Sequence, residues 1–180
     1  MFKALARTGA TIILAASFVL PSGDAVAAPG HIVLPEPLPQ PDWQLPVIAN
    51  GQGALSSSDF AGQVVYVDFW ASWCGPCRLS LPAINSLFQE FNETGFRVVA
   101  ISVDYVEADA LDFLQRYPVD YPVVLDSTGD SGRVFAVSGM PSGYLIDRSG
   151  AIREVHVGFR KGDEALLRDS IARLLNESTP

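Results

Sequence analysis

Cysteine and histidine are almost missing from this chain: its 180 residues hold two of each, Cys74 with Cys77 and His31 with His156. Zinc normally takes four ligands, so a structural zinc site would have to join two histidines far apart in sequence to the single cysteine pair. Positive charge is also in deficit. Twelve Lys and Arg stand against twenty Asp and Glu, a formal net charge of −8, and the acidic residues are dispersed. That balance argues against nucleic acid or an anionic membrane surface as a partner, and solubility is reason enough for it. The apolar run Thr11 to Leu20 stops at Pro21-Ser22-Gly23, well short of the ~20 residues that span a bilayer.

Lys3 and Arg7 precede that run and Ala25-Val26-Ala27 follows it as an A-x-A cleavage site, so residues 1–27 read as a secretory signal peptide. Cleavage after Ala27 removes Lys3, Arg7 and Asp24. No cysteine stands near that site, which excludes a lipoprotein anchor, and an uncleaved anchoring signal is the weaker reading. Export into the periplasm is expected, with no stable membrane insertion afterwards. Residues 28–46 carry Pro29, Pro35, Pro37, Pro39, Pro41 and Pro46 without helical or strand period, and are expected to be an extended spacer. Residues 47–180 then form one domain, for which 48% apolar content supplies a substantial core.

The informative segment is Trp73-Cys74-Gly75-Pro76-Cys77, directly after the strand-like run Val64 to Trp70. Two thiols at a strand-to-helix junction can close a small disulfide and open it again. Pro76 needs no amide donor and presets a helical φ, so it suits a first helical turn and places Cys74 at the helix start. Unpaired amides and the positive end of the helix dipole favour a thiolate there. Cys74 is thus expected to be the exposed nucleophile, and Cys77, one turn further in, the buried resolving thiol. Gly75 leaves room for an incoming disulfide. A permanent structural disulfide is the competing reading, but so short a loop stabilises little.

Beyond it, Leu81, Ile84, Leu87, Phe88 and Phe91 recur at helical spacing, with Pro82 a kink and Gly95 a stop. Phe96 to Val103 reads as a buried strand, Ala108 to Arg116 as a helix and Tyr121 to Leu125 as a strand. A helical turn spans Gly132 to Val137. Tyr144 to Ile146 and Ile152 to Val157 flank the hairpin turn Asp147-Arg148-Ser149-Gly150. A last helix runs from Glu164 to Leu175, capped by Asp163. The order predicts a three-layer α/β sandwich.

The stretch Val67 to Arg78, with Pro82 beyond it, closely resembles the active-site segment of thioredoxins, and Val137 to Gly150 is similar to the segment that carries their cis-proline. The resemblance runs from about Trp43 to the C-terminus, and its closest form is the exported TlpA/ResA-like branch. It implies a thioredoxin-like α/β/α sandwich with a central βα insertion, here about Tyr105 to Leu125. It also implies a thiol-disulfide oxidoreductase without cofactor or metal, with disulfide-bearing protein substrates, for example in cytochrome c maturation, and a membrane electron-donor thiol protein. Trp73, Gly75, Pro76, Met140 and a cis Pro141 would contact substrate, the Met140 backbone pairing with an extended strand. Trp70 is core packing.

Asp68, between Val67 and Phe69, is costly to bury and its pKa should rise; the plainer alternative is a solvent-facing strand end. The matching thioredoxin aspartate takes the proton of the resolving thiol, and the resemblance carries that role to Asp68. TlpA-like chains often have asparagine there and glutamate at the position of Ser80, the reverse of this arrangement. Two other readings are a copper chaperone using Cys74, Cys77 and His156, for which C-x-x-x-C would be usual, and a peroxide-reducing enzyme, whose threonine and proline pattern is absent. His156 itself reads most simply as an outward-facing strand residue.

Overall fold

The structure, a computed structural model, describes residues 30–177; the proposed signal peptide lies outside them. Its centre is β4 (Val64–Trp70), buried at every position. β4 pairs in parallel with β5 (Phe96–Ser102) and antiparallel with β7 (Ser142–Ile146). Apolar side chains cover both faces, as a continuous β-branched and aromatic run requires. Tyr66 and Trp70 join one core with Leu81, Ile84 and Leu87, while Val65, Val67 and Phe69 join a second with Phe135 and Tyr144.

The first face is roofed by α1 (Cys77–Phe91) and α4 (Asp163–Asn176), with α2 (Glu107–Arg116) contributing Phe113. α1 buries Cys77, Ser80, Leu81, Ile84 and Leu87 along one stripe. The helix continues through Pro82, and Gly95 at φ 96° ends the short 3-10 turn that follows it. The expected insertion is present as α2 and β6 (Val123–Leu125), the latter parallel to β5. Among the described residues the second face carries the short α3 (Asp130–Val134) together with segments that precede β4. Asp163 opens α4 as its first residue, and Gly162 holds the capping position assigned to Asp163 from sequence.

The spacer reading of residues 28–46 needs correction. His31–Pro39 form β1, antiparallel to β8 (Ala151–Val157), with His31 opposite His156 and Val33 opposite Glu154. β2 (Gln44–Ala49) straddles the expected domain boundary, pairing with β6 and with β3 (Ala54–Ser56). Among the described residues the sheet has eight strands, in the order β1-β8-β7-β4-β5-β6-β2-β3. β1 tolerates Pro35, Pro37 and Pro39 because it is an edge strand, where one side of the backbone needs no ladder partner. By covering β8, it also turns what would be a sheet edge into an interior strand.

β7 approaches β4 so closely that one position admits only glycine. A Cβ added to Gly143 would lie 1.8 Å from the Tyr66 hydroxyl and 2.1 Å from its ring carbon Cζ. The Tyr66 ring is buried and has nowhere to retreat. Gly143→Ala is therefore expected to destabilise the domain by about 1–3 kcal/mol, seen as a lower urea midpoint; an unchanged midpoint would contradict this packing.

Candidate active site

Where β4 ends, the chain turns through Ala71 to Pro76 into α1, and the two cysteines bracket that turn. Cys74 and Cys77 are joined in a disulfide with Cα atoms 5.4 Å apart. Pro76 caps the helix with φ −64°, as its ring dictates. The Cys77 amide donates to Cys74 Sγ at 3.2 Å, a bond that would stabilise a thiolate at Cys74. Cys74 is not exposed as expected and differs from Cys77 only slightly: Cys74 retains 4% exposure and Cys77 none. A Cβ on Gly75 would meet nothing within 4 Å, so the approach over that residue is open.

The turn is braced from β5. Asp104, 2% exposed, accepts from the Ser72 amide at 3.0 Å and the Ser72 hydroxyl at 2.7 Å, and from Ser102 at 2.9 Å. Sequence reasoning missed it, although a carboxylate just past the C-terminal end of a buried strand is where sites on open α/β sheets gather. Asp126, after β6, does the same for α3 through the Ser131 amide at 2.8 Å. α3 in turn leads to the Met140-Pro141 peptide, which is cis.

Beside the disulfide lies a cleft of about 500 Å³ lined by Trp73, Val103, Tyr105, Arg133, Val137 and Met140. Trp73 is 67% exposed at its rim, in keeping with a docking surface, whereas Trp70 is fully buried with its ring 5.2 Å from that of Phe113. Among the described residues the Met140 amide and carbonyl have no backbone partner.

Asp68 faces the same side of the sheet as Tyr66, Trp70 and α1, because side chains alternate along β4. It is 1% exposed, and among the described residues neither carboxylate oxygen has a hydrogen-bond partner. Burial therefore pushes its carboxyl well above the usual range, and the solvent-facing alternative is removed. Ser80 is fully buried one turn beyond Cys77 and offers no carboxylate. His156 is not outward-facing as expected. It is 3% exposed beneath α4, its Nε2 3.1 Å from Asp163 Oδ2, because β1 encloses β8. The copper reading thereby loses the accessible third ligand it required.

A dithiol turn at the C-terminal end of a central strand, above a buried carboxyl and beside a cis-proline loop, defines a thioredoxin-superfamily thiol-disulfide oxidoreductase. The chain belongs to the redoxin family, whose profile matches residues 36–171. It is 33% identical over 142 residues to the thiol-disulfide oxidoreductase ResA of Oceanobacillus iheyensis, covering 78% of this chain and 71% of that one. A crystal structure of a candidate thiol:disulfide interchange protein DsbE from Chlorobium tepidum is similar at a TM-score of 0.75 and 41% identity, covering 79% of this chain and 99% of that one. A candidate protein disulfide isomerase from Bacteroides thetaiotaomicron follows at a TM-score of 0.71 and 28% identity, covering 82% and 94%.

The burial of Asp68 has a measurable sign. Its folded-state pKa is raised, so the stability it allows is full below the unfolded pKa of about 3.9 and is lost as pH rises toward the folded value. Asp68→Asn should match the parent in acid and become more stable with rising pH, by up to about 1.4 kcal/mol per unit until the carboxyl ionises. Urea unfolding across pH checks this, and a gap that stays constant would contradict it.

Proposed function

We propose that the protein is a periplasmic disulfide reductase for exported proteins, with c-type cytochrome maturation as its setting. The observation that carries the chemistry is the asymmetry of the pair: Cys74 Sγ receives the Cys77 amide at 3.2 Å, while Cys77 is sealed on the side of the sheet that Asp68 shares. The Cys74 thiolate attacks a substrate disulfide, forming a mixed disulfide and releasing one substrate thiolate. Asp68 takes the Cys77 proton, Cys77 Sγ attacks Cys74 Sγ, and the second substrate sulfur leaves. Two electrons pass to the substrate, and a membrane thiol protein returns them.

The setting is supported by the charged start, short apolar run and Ala25-Val26-Ala27 of the sequence, and by the relatives named ResA and DsbE. Among the described residues no helix is long and apolar enough to cross a membrane. Trp73 and the Met140 backbone, unpaired among the described residues, support docking of an extended substrate segment across the cleft, and Gly75, Pro76 and Pro141, next to them in the chain, are assigned to the same surface.

Cys77→Ser removes the resolving thiol. Expressed in its own periplasm, the variant is expected to accumulate mixed disulfides through Cys74 with exported cysteine-bearing proteins, haem-binding apoproteins among them, identified by mass spectrometry. Recovery of Cys74 free and alkylatable, with no adducts, would contradict the proposed role.

A further inference from the structure

One buried carboxylate holds the backbone on which two exposed aromatic side chains stand beside the disulfide. Asp104 accepts from the Ser72 amide at 3.0 Å and the Ser72 hydroxyl at 2.7 Å, which ties its own chain neighbour Tyr105 to the segment that carries Trp73. Tyr105 is 85% exposed, and both rings line the cleft of about 500 Å³. A ring left so open contributes little to folding. The cleft is continuous with the redox site, because Trp73 directly precedes Cys74 and Met140, with its backbone unpaired among the described residues, directly precedes Pro141.

The wall that α3 contributes has its two smallest residues placed against the needs of the backbone. Gly132 lies within α3, where no left-handed φ requires a glycine, and a Cβ there would meet, among the described residues, only Val137 Cβ at 4.0 Å. Glycine in a helix costs stability relative to alanine. Ala136 shows the reverse mismatch, standing at φ 54° in the left-handed region that favours glycine. Both residues line the cleft. Exchanging them would serve the fold better, so what the arrangement provides lies in the cleft: open helix backbone at Gly132, where a guest group can approach closely, and an apolar methyl at Ala136.

We propose that this cleft is a side-chain pocket of the exchange site, selecting substrates that carry a large apolar or aromatic side chain within two residues of the attacked cysteine. The pocket rests on the substrate docking proposed above. The polar side chains beside α3 are already engaged: the Thr128 hydroxyl lies 3.0 Å from Asp126 and 2.9 Å from Asp130, and Arg133 pairs with Asp130. A guest therefore meets mainly the apolar surface of Trp73, Val103, Tyr105, Ala136, Val137 and Met140. Pockets for small ligands run from roughly 300 to 1,000 Å³, so the space suits one large side chain. An extended strand advances ~3.3 Å per residue, and the cleft begins at the chain neighbours of Cys74 and Pro141, which sets the two-residue limit.

Reduced protein mixed with short blocked peptides tests this. Each peptide carries one cysteine as its mixed disulfide with β-mercaptoethanol, a partner without a ring, and Phe, Leu, Ala or Glu at a position next to or one removed from that cysteine. The protein dithiol gives two electrons to the peptide disulfide, leaving Cys74–Cys77 oxidised and releasing the peptide thiol and mercaptoethanol, which chromatography of the acid-quenched mixture measures.

The second-order rate with Phe or Leu is expected to exceed that with Ala or Glu about tenfold, a ratio taken within each variant. Tyr105→Ala and Gly132→Leu should bring that ratio close to one. Val106→Ala, exposed next to Tyr105 but outside the cleft, should keep it. Gly132→Leu should also hold or raise the urea midpoint, because its glycine serves the guest and not the fold. A parent ratio near one, a ratio that survives both Tyr105→Ala and Gly132→Leu, or an equal loss in Val106→Ala would overturn the pocket. Failure to reduce any of the peptides would instead overturn the reductase reading, and the pocket with it.

Discussion

A carboxyl group buried in the middle of a sheet without a hydrogen-bond partner among the described residues is the constraint around which this domain is arranged. Transfer of such a group from water costs about 1–3 kcal/mol by mutational measure, and more if it is charged. Burial raises the affinity of Asp68 for a proton, and in its neutral form the carboxyl escapes the charged part of that penalty. β4 can carry it because Val64 to Trp70 are otherwise apolar or aromatic and are covered by two cores. Local stability has been given up at a position where the proposed exchange chemistry would use a proton acceptor matched to a thiol.

The neighbouring features follow from holding that carboxyl and the dithiol turn in fixed relation. Asp104 ties the turn to the end of β5 through Ser72, and Asp126 ties α3 to the end of β6. Unlike Asp68, both are satisfied by hydrogen bonds, which is why they can brace loops without disturbing the core. Gly143 lets Tyr66 lie across the row between β4 and β8, on the face that Asp68 shares. The outer layer, with β1 paired to β8 and Glu154 joined to His31 and Arg173, closes that side from water.

Much of this was legible in the residues. C-G-P-C after a buried strand implied the turn, the helix start and the unequal cysteines, because proline geometry and helix-end amides act locally. The apolar surroundings of Asp68 implied its burial for the same reason. What escaped depends on distant partners. β1 has no alternating pattern and three prolines, and only β8, more than a hundred residues away, makes it a strand. His156 was read as outward-facing, whereas α4 covers its face of β8 and Asp163 meets its ring. The fit of Tyr66 against Gly143 likewise exists only once β7 lies beside β4.

The central claim is that Asp68 lies buried on the cysteine side of the sheet with a raised affinity for a proton. The direct measurement is a carbon-13 NMR titration of the Asp68 carboxyl, assigned by its loss in Asp68→Asn, in the oxidised and reduced protein. The buried, unpartnered environment predicts a midpoint well above the ordinary aspartate range in both states. A midpoint within the ordinary range would contradict the account, because it would mean that the carboxyl is solvated or paired and has no raised affinity for the Cys77 proton.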